Sequence, residues 1–320
     1  DPAFVFRYRL SFVMRGLDPR VHPFTRDWIA GASPAMTACQ GARMSDIKRA
    51  CVIGWPIKHS RSPLIHGYWI KQHGLNADYR REEVPPDQFE AFIKSLPAHG
   101  YVGANITIPH KEAALAASEP DDRARAVGAA NTLWLDDGRL RSTNTDVEGF
   151  IDNLDAAVPY WDRDDGEAVV LGAGGSSRAI VYGLIERGFE TIHVVNRTLD
   201  RAQALRERFG SAVQPANTTA LPHLLKRAGL LVNTTSLGMT GQPPLEIDLV
   251  SMHGSAVVAD LVYAPLDTGL LAAARKRGLR TADGLGMLLH QAVRGFALWF
   301  GVRPAVTPEL RAMVEADLVK

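Results

Sequence analysis

Ala168-Val169-Val170-Leu171-Gly172-Ala173-Gly174-Gly175-Ser176-Ser177-Arg178 is the stretch that decides how this chain is read. Its four leading apolar residues predict a buried strand, which runs straight into a glycine turn. Ile180, Val181, Leu184 and Ile185 then recur at helical spacing, so the order is strand, glycine-rich turn, helix. Gly172 permits a tight turn and Gly174 lets a backbone approach a pyrophosphate. The helix start offers free amide hydrogens at a positive dipole end. A glycine cluster alone also fits an ordinary strand-to-helix turn. The flanking strand and helix make Gly172, Ala173, Gly174, Gly175 and Ser176 a dinucleotide-binding fingerprint.

The next predicted strand, residues 191–195, ends at Asn196-Arg197-Thr198, with Arg201 shortly after. A loop selective for NAD usually places an acid here to hold the ribose hydroxyls, and that acid would repel a 2′-phosphate. Arg197 and Arg201 can instead pair with the phosphate, through charge-assisted hydrogen bonds of about 1.5 to 3 kcal/mol each. A solvated arginine at a helix start is the plain alternative. The loop, with Asn196 and Thr198 in it, predicts NADP as the cofactor.

Outward from this unit, strands are predicted at 168–171, 191–195, 230–233 and 256–261, with helices at 176–187, 201–209 and 222–227 between them. A polar break over 160–167 separates an earlier series: strand 49–53, helix 63–73, strand 103–108 and helix 110–117. Asp136, Asp137 and Gly138 signal a hairpin between 132–135 and 140–142. Residues 286–300 and 308–318 read as two amphipathic helices. The rhythm is that of an α/β protein.

An apolar content of 46% supports sizeable cores. A net charge of +1 with interleaved acids and bases leaves no basic stripe for nucleic acid, so the expected partner is a small molecule. No apolar run approaches the roughly 20 residues of a membrane helix, which predicts no membrane partner. Cys39 and Cys51 are too few for a disulfide framework and wrongly spaced for zinc, which fits a reducing cytoplasm.

Residues 1–43 are set apart from the fold as a non-native or disordered extension. They carry Arg7, Arg9, Arg15, Arg20, Arg26 and Arg43 with no sustained period. A targeting peptide shares the arginine excess, but Pro19, Pro23 and Pro34 break the amphipathic helix it needs. The segment MRGLDPRVHPFTRDWIAGASPAMT resembles translated intergenic repeats found where bacterial gene models extend too far upstream. Synthesis is then expected to begin at Met44, and the intact mass of protein made from its native gene would start at Met44 or Ser45.

Polar clusters lie at the ends of the predicted strands, where α/β proteins build their sites. His59-Ser60-Arg61-Ser62-Pro63 offers two hydroxyls that can share one carboxylate, or that simply cap a helix. In Asn105-Ile106-Thr107-Ile108-Pro109-His110-Lys111, polar residues alternate with apolar ones. Lys111 opens a helix, an electrostatically poor place for a lysine unless it has a task. Gly128-Ala129-Ala130-Asn131-Thr132 and Asn144-Thr145-Asp146 follow. Asp283-Gly284-Leu285-Gly286-Met287 is the fifth cluster, with Gln291 one turn beyond Met287 on the same helix face.

In order along the chain, VIGWPIKHSRSP, GANITIPHK, GAANTL, NTDVEGF, LGAGGSSRA, NRTLDRA, NTTSLGM, DLVYAPLDT and DGLGMLLHQA resemble the shikimate dehydrogenase family. The resemblance runs from Lys48 to about Pro304, and SxSP, TIPHK and NTD are its most specific parts. It implies two α/β domains. A substrate-binding domain would take residues 44–145 plus 284–320 and a Rossmann-type NADP-binding domain 146–283, with the C-terminal helices returning to the first. It further implies reversible reduction of 3-dehydroshikimate to shikimate by NADPH, toward chorismate and the aromatic amino acids, without a metal. Ser60 and Ser62 would hold the substrate carboxylate, and Thr107, Asn131 and Gln291 the ring hydroxyls, with Tyr263 nearby. Lys111 and Asp146 would be the catalytic pair, either of them the final carrier of the proton. Leu261 and Gly284 would lie on the cofactor side. A homodimer is common in the family, although no feature of the sequence locates an interface.

Hydride delivery to a ketone leaves an alkoxide that must be protonated as it forms, and a lysine can supply that proton. Some positions depart from the family pattern: Trp55 stands where asparagine is frequent, Val147-Glu148 follow NTD where glycine often comes next, and Leu261-Val262 replace other apolar residues tolerated there. The competing readings are a dual quinate/shikimate dehydrogenase and a dinucleotide-binding regulator without catalysis. Ser62 and Arg197 point away from the first, and the presence of both Lys111 and Asp146 from the second.

Overall fold

The computed structural model describes residues 47–163 and 166–318. The expected extension over 1–43, the expected start at Met44 and the middle of the polar break therefore lie outside the described residues. In the first half, β1 (Lys48–Gly54), α1 (Ser62–Gln72), β2 (Ala77–Glu83), α2 (Phe89–Ser95), β3 (Tyr101–Ile106), α3 (Lys111–Ala116), β4 (Glu119–Pro120), α4 (Asp122–Val127), β5 (Thr132–Asp136) and β6 (Arg139–Thr143) follow in turn. They form a mixed sheet in the order β2-β1-β3-β5-β6-β4, parallel on either side of β1 and antiparallel from β3 to β6. The β5–β6 turn places Asp137 and Gly138 at positive φ, as a two-residue hairpin turn requires.

α5 (Asp146–Ala157) leads into β7 (Glu167–Leu171), α6 (Gly175–Glu186), β8 (Ile192–Val195), α7 (Leu199–Phe209), β9 (Val213–Ala216), α8 (Leu221–Leu224), β10 (Ala228–Asn233), β11 (Val257–Asp260), α9 (Gly269–Lys276) and β12 (Arg280–Ala282). These strands form an all-parallel sheet in the order β12-β11-β10-β7-β8-β9, the doubly wound Rossmann arrangement. Strands buried on both faces read as continuous apolar runs. Ala168 and Val170 join one core, and Val169 and Leu171 the other. The order reverses between β7 and β10, so a crevice opens at the glycine turn after β7.

α10 (Gly284–Phe300) and α11 (Pro308–Leu318) return to the first sheet. Leu285, Leu289, Phe296 and Trp299 of α10 pack with Ala50, Val52 and Trp69, while Met287 packs on the core of the second sheet. α5 lies against α10: a Cβ at Gly149 would come within 2.6 Å of Gln291 Cβ and 2.9 Å of the Met287 carbonyl oxygen, so the approach requires glycine. No helix among the described residues is long and apolar enough to cross a membrane.

The predicted elements are present with ends shifted by a residue or two, except that the helix expected at 222–227 is a single turn, Leu221–Leu224. β2, α2, β4, α4, α5, β9, α9 and β12 are present in addition to the predicted elements. Several of these are short, and β2 is a polar strand at the sheet edge.

Candidate active site

Four of the five polar clusters sit where a strand hands over to the next element, and the fifth, Gly128 to Thr132, leads from α4 into β5. After β1, Ser60 Oγ accepts the Ser62 amide at 3.3 Å, and the Ser60 carbonyl accepts Arg81 Nη2 at 2.7 Å. Arg61, between the two serines, pairs with Asp317 of α11 at 2.6 Å. After β3, the Thr107 amide donates to the Ile53 carbonyl at 2.9 Å, and His110 Nε2 donates to the Val84 carbonyl at 2.7 Å. These bonds fix the short link that delivers Lys111 to the start of α3.

Lys111 Nζ donates to Asp146 Oδ2 at 2.5 Å. Asp146 opens α5, where the helix dipole favours negative charge. Its other oxygen, Oδ1, accepts Asn131 Nδ2 at 2.8 Å, and its amide donates to Asn144 Oδ1 at 3.1 Å. Asn131, Asn144 and Asp146 are all buried, so hydrogen bonds rather than water set their orientations.

A cavity of about 340 Å³ lies over this pair. It is lined by all the residues expected at the substrate, namely Ser60, Ser62, Thr107, Asn131, Tyr263 and Gln291, together with Lys111 and Asp146. Ser176, Leu261 and Gly284, expected at the cofactor, line it as well. Burial pushes the Tyr263 phenol up, and the Arg61 guanidinium opposes that shift. Asn105, Met287 and Arg61 also line the cavity. They stand in the quoted clusters, and their proximity to the predicted residues is the signal that could have added them.

Gly172, Ala173, Gly174, Gly175, Asn196, Arg197, Thr198 and Arg201 lie outside that cavity, on the second sheet. Gly172 has φ +99°, and a Cβ there would fall 2.9 Å from Thr234 Oγ1, so the turn requires glycine. At Gly174 and Gly175 a Cβ would meet nothing within 4 Å, leaving an open cradle at the N-terminus of the 12-residue α6. Asn196 Nδ2 donates to the Thr198 carbonyl at 2.7 Å and shapes the next loop. Arg197 and Arg201 are exposed, and neither forms an ion pair among the described residues. Open amides beside two uncommitted cations fit a dinucleotide carrying a further phosphate.

The two sides meet away from the cavity as well. Arg178 of α6 pairs with Glu112, the neighbour of Lys111, at 2.7 Å, and Arg208 of α7 donates to the Ala126 carbonyl at 3.0 Å.

Family models match in three blocks: shikimate dehydrogenase substrate binding domain over residues 52–133, shikimate/quinate 5-dehydrogenase over 158–240, and shikimate 5′-dehydrogenase C-terminal domain over 284–312. A Nitrobacter hamburgensis protein named shikimate dehydrogenase (NADP(+)) is 68% identical over 271 residues, covering 85% of this chain and 95% of the relative. Among solved structures, shikimate 5-dehydrogenase from Thermus thermophilus, in complex with NADP(H) and shikimate, is 34% identical. That likeness covers 85% of this chain and 99% of the other, with a TM-score of 0.74. Quinate dehydrogenase from Corynebacterium glutamicum, in complex with NAD, is 30% identical, covering 85% of this chain and all of its own, with a TM-score of 0.79.

Proposed function

The chain belongs to the shikimate dehydrogenase family, and from that premise we propose that Lys111 and Asp146 are the pair through which it carries out the NADPH-dependent, reversible reduction of 3-dehydroshikimate to shikimate. The observation that carries this assignment is the 2.5 Å contact between Lys111 Nζ and Asp146 Oδ2 on the wall of a cavity lined with hydroxyls and amides. Bound NADPH supplies the hydride equivalent. The glycine cradle over Gly172, Ala173, Gly174, Gly175 and Ser176 would hold its pyrophosphate. Arg197 and Arg201, with Asn196 and Thr198 shaping their loop, would hold its 2′-phosphate. Leu261 and Gly284 would border it near the substrate.

Ser60 and Ser62 hold the carboxylate end of the substrate, while Thr107, Asn131, Tyr263 and Gln291 read the ring hydroxyls. Lys111 commits one ammonium proton to Asp146 and has two left, so it can donate to the substrate oxygen as that oxygen becomes an alkoxide. Asp146 keeps Nζ aimed at the oxygen and balances its charge. In the oxidation direction the same lysine, having passed its proton on, takes one from the hydroxyl.

We assign residues 44–145 plus 284–320 to the substrate-binding unit and 146–283 to the NADP-binding unit. The finer expectations are a cytoplasmic location, which rests on the sparse cysteines, and a homodimer, which rests on the resemblance, and cell fractionation and sedimentation velocity test them. The assay for the whole reading is NADPH formation with shikimate and with quinate. Shikimate should be turned over, with quinate at least about tenfold slower. Lys111→Ala should lower kcat by about 10²- to 10⁴-fold with a much smaller change in KM, the pattern of a group needed in the transition state. Near wild-type turnover in that variant would remove Lys111 from the mechanism.

A further inference from the structure

Behind the catalytic pair stand Tyr79, Asn105 and Thr132, buried side chains that the reaction scheme leaves unused and that reach the pair through Asn131. The Tyr79 hydroxyl, on β2, donates to Asn105 Oδ1 at 2.6 Å. Asn105 Nδ2 donates to Thr132 Oγ1 at 3.2 Å, and Thr132 Oγ1 donates to Asn131 Oδ1 at 3.1 Å. Asn131 Nδ2 then donates to Asp146 Oδ1, whose partner oxygen holds Lys111 Nζ.

Every bond in this series points the same way. An amide has a donor end and an acceptor end, and a hydroxyl has one proton to give. With the phenol proton committed to Asn105 Oδ1, Asn105 must present its NH₂ to Thr132. Thr132 gives its single proton to Asn131 Oδ1 at 3.1 Å, the nearer of two acceptors, with Thr145 Oγ1 at 3.3 Å, and the Asn131 NH₂ remains for Asp146. The Thr145 amide and hydroxyl hold the same Asn131 oxygen at 2.8 and 3.2 Å, so the series tightens Asn131 rather than being its sole support. Tyr79, Asn105, Asn131 and Thr132 are all buried, where a hydrogen bond is electrostatically stronger than in water and a lost one costs more. The Tyr79 ring is itself held in place, stacked on His66 at 4.1 Å between centroids.

We propose that Tyr79 is a positioning residue for the reaction: its hydroxyl sets the direction of a buried series of hydrogen bonds that holds Asp146, and through it Lys111, in the reacting geometry. The inference rests on the assignment of Lys111 and Asp146 as the catalytic pair.

The test is steady-state kinetics of Tyr79→Phe, Thr132→Val and the double variant, run beside Asp146→Asn. Tyr79→Phe removes only the hydroxyl and keeps the stacked ring. Thr132→Val breaks the same series at another link, so either variant answers the question should the other fail to fold. Each single change should lower kcat about tenfold; Thr132→Val should leave the KM for shikimate within about twofold, because its loss falls on alignment, whereas Tyr79→Phe also removes a hydrogen bond with Ser62 and should raise that KM by no more than about fivefold. The double variant should be no slower than the slower single one, since a series already broken has nothing further to lose. Wild-type kcat in Tyr79→Phe, with or without a lower Tm, would leave the tyrosine a packing role and overturn the proposal. Losses that multiply in the double variant would overturn it as well. Wild-type turnover in Asp146→Asn would bring down the catalytic assignment itself, and this inference with it. An inactive Asp146→Asn beside a normal Tyr79→Phe would sink the inference alone.

Discussion

Arg197 and Arg201 carry positive charge that no anionic side chain claims among the described residues, beside a loop open to solvent. Arg197→Ala should therefore raise KM for NADP at least about tenfold and leave NAD within about twofold. Parallel kinetics with both cofactors check this, and an unchanged ratio would count against the pair. His66 makes a different kind of prediction. Burial lowers its pKa to about 3 from an ordinary value near 6.5. As pH falls below 6.5 the unfolded chain takes up a proton that the folded one refuses, so stability drops toward pH 3 by up to about 1.4 kcal/mol per pH unit from this group. Burial shifts His110 and His290 in the same direction. His66→Phe should flatten the acid side of the stability profile in urea titrations, and a profile as steep as that of wild type would contradict the assignment. Arg197 is legible in the sequence because it stands at a fixed offset from a strand end. His66 is not, because its state depends on Tyr79, Phe296 and Trp299 arriving from β2 and α10.

α5 brings Asp146 and α10 brings Gln291, and the two helices touch at Gly149. Gly149→Ala forces them apart against backbone, which should cost about 1 to 3 kcal/mol of stability. It should also raise the KM for shikimate by about three- to tenfold, since Gln291 moves away from the cavity. Urea melts and initial rates test the two effects together, and an alanine variant matching wild type in both would remove α5–α10 packing from the site. The hairpin of β5 and β6 is legible from Asp137-Gly138, and β7 to α6 from the glycine turn. β2 is not, because ADYRREE carries the polar composition of an edge strand and buries Tyr79 alone. α5 has a readable signal, Val147, Phe150, Ile151 and Leu154 at helical spacing, which its polar start and Gly149 obscure.

At the scale of the molecule, α10 packs into the cores of both sheets, and Arg178 and Arg208 tie the second to the segment around α3 and α4. NADP at about a hundredfold above its Kd should add about 2.7 kcal/mol to the free energy of unfolding. Through α10 that gain should spread, so hydrogen exchange in β1 and β3 slows along with that in β7 and β10. Protection confined to the second sheet would show that the halves open independently. The motifs reveal which residues meet in the cleft because each lies at a strand end. They say nothing of this coupling, which depends on contacts between residues far apart in the chain. The strands of each sheet come from one unbroken stretch, β1 to β6 and β7 to β12, but the core over the first closes only when α10 arrives, its Trp299 indole donating to the Leu133 carbonyl, 166 residues back, at 2.8 Å. On the ribosome the half made later can therefore close first. The strands translated earliest wait for α10 to emerge, and their bare apolar face around Ala50 and Val52 is the surface a nascent chain must shield from its neighbours.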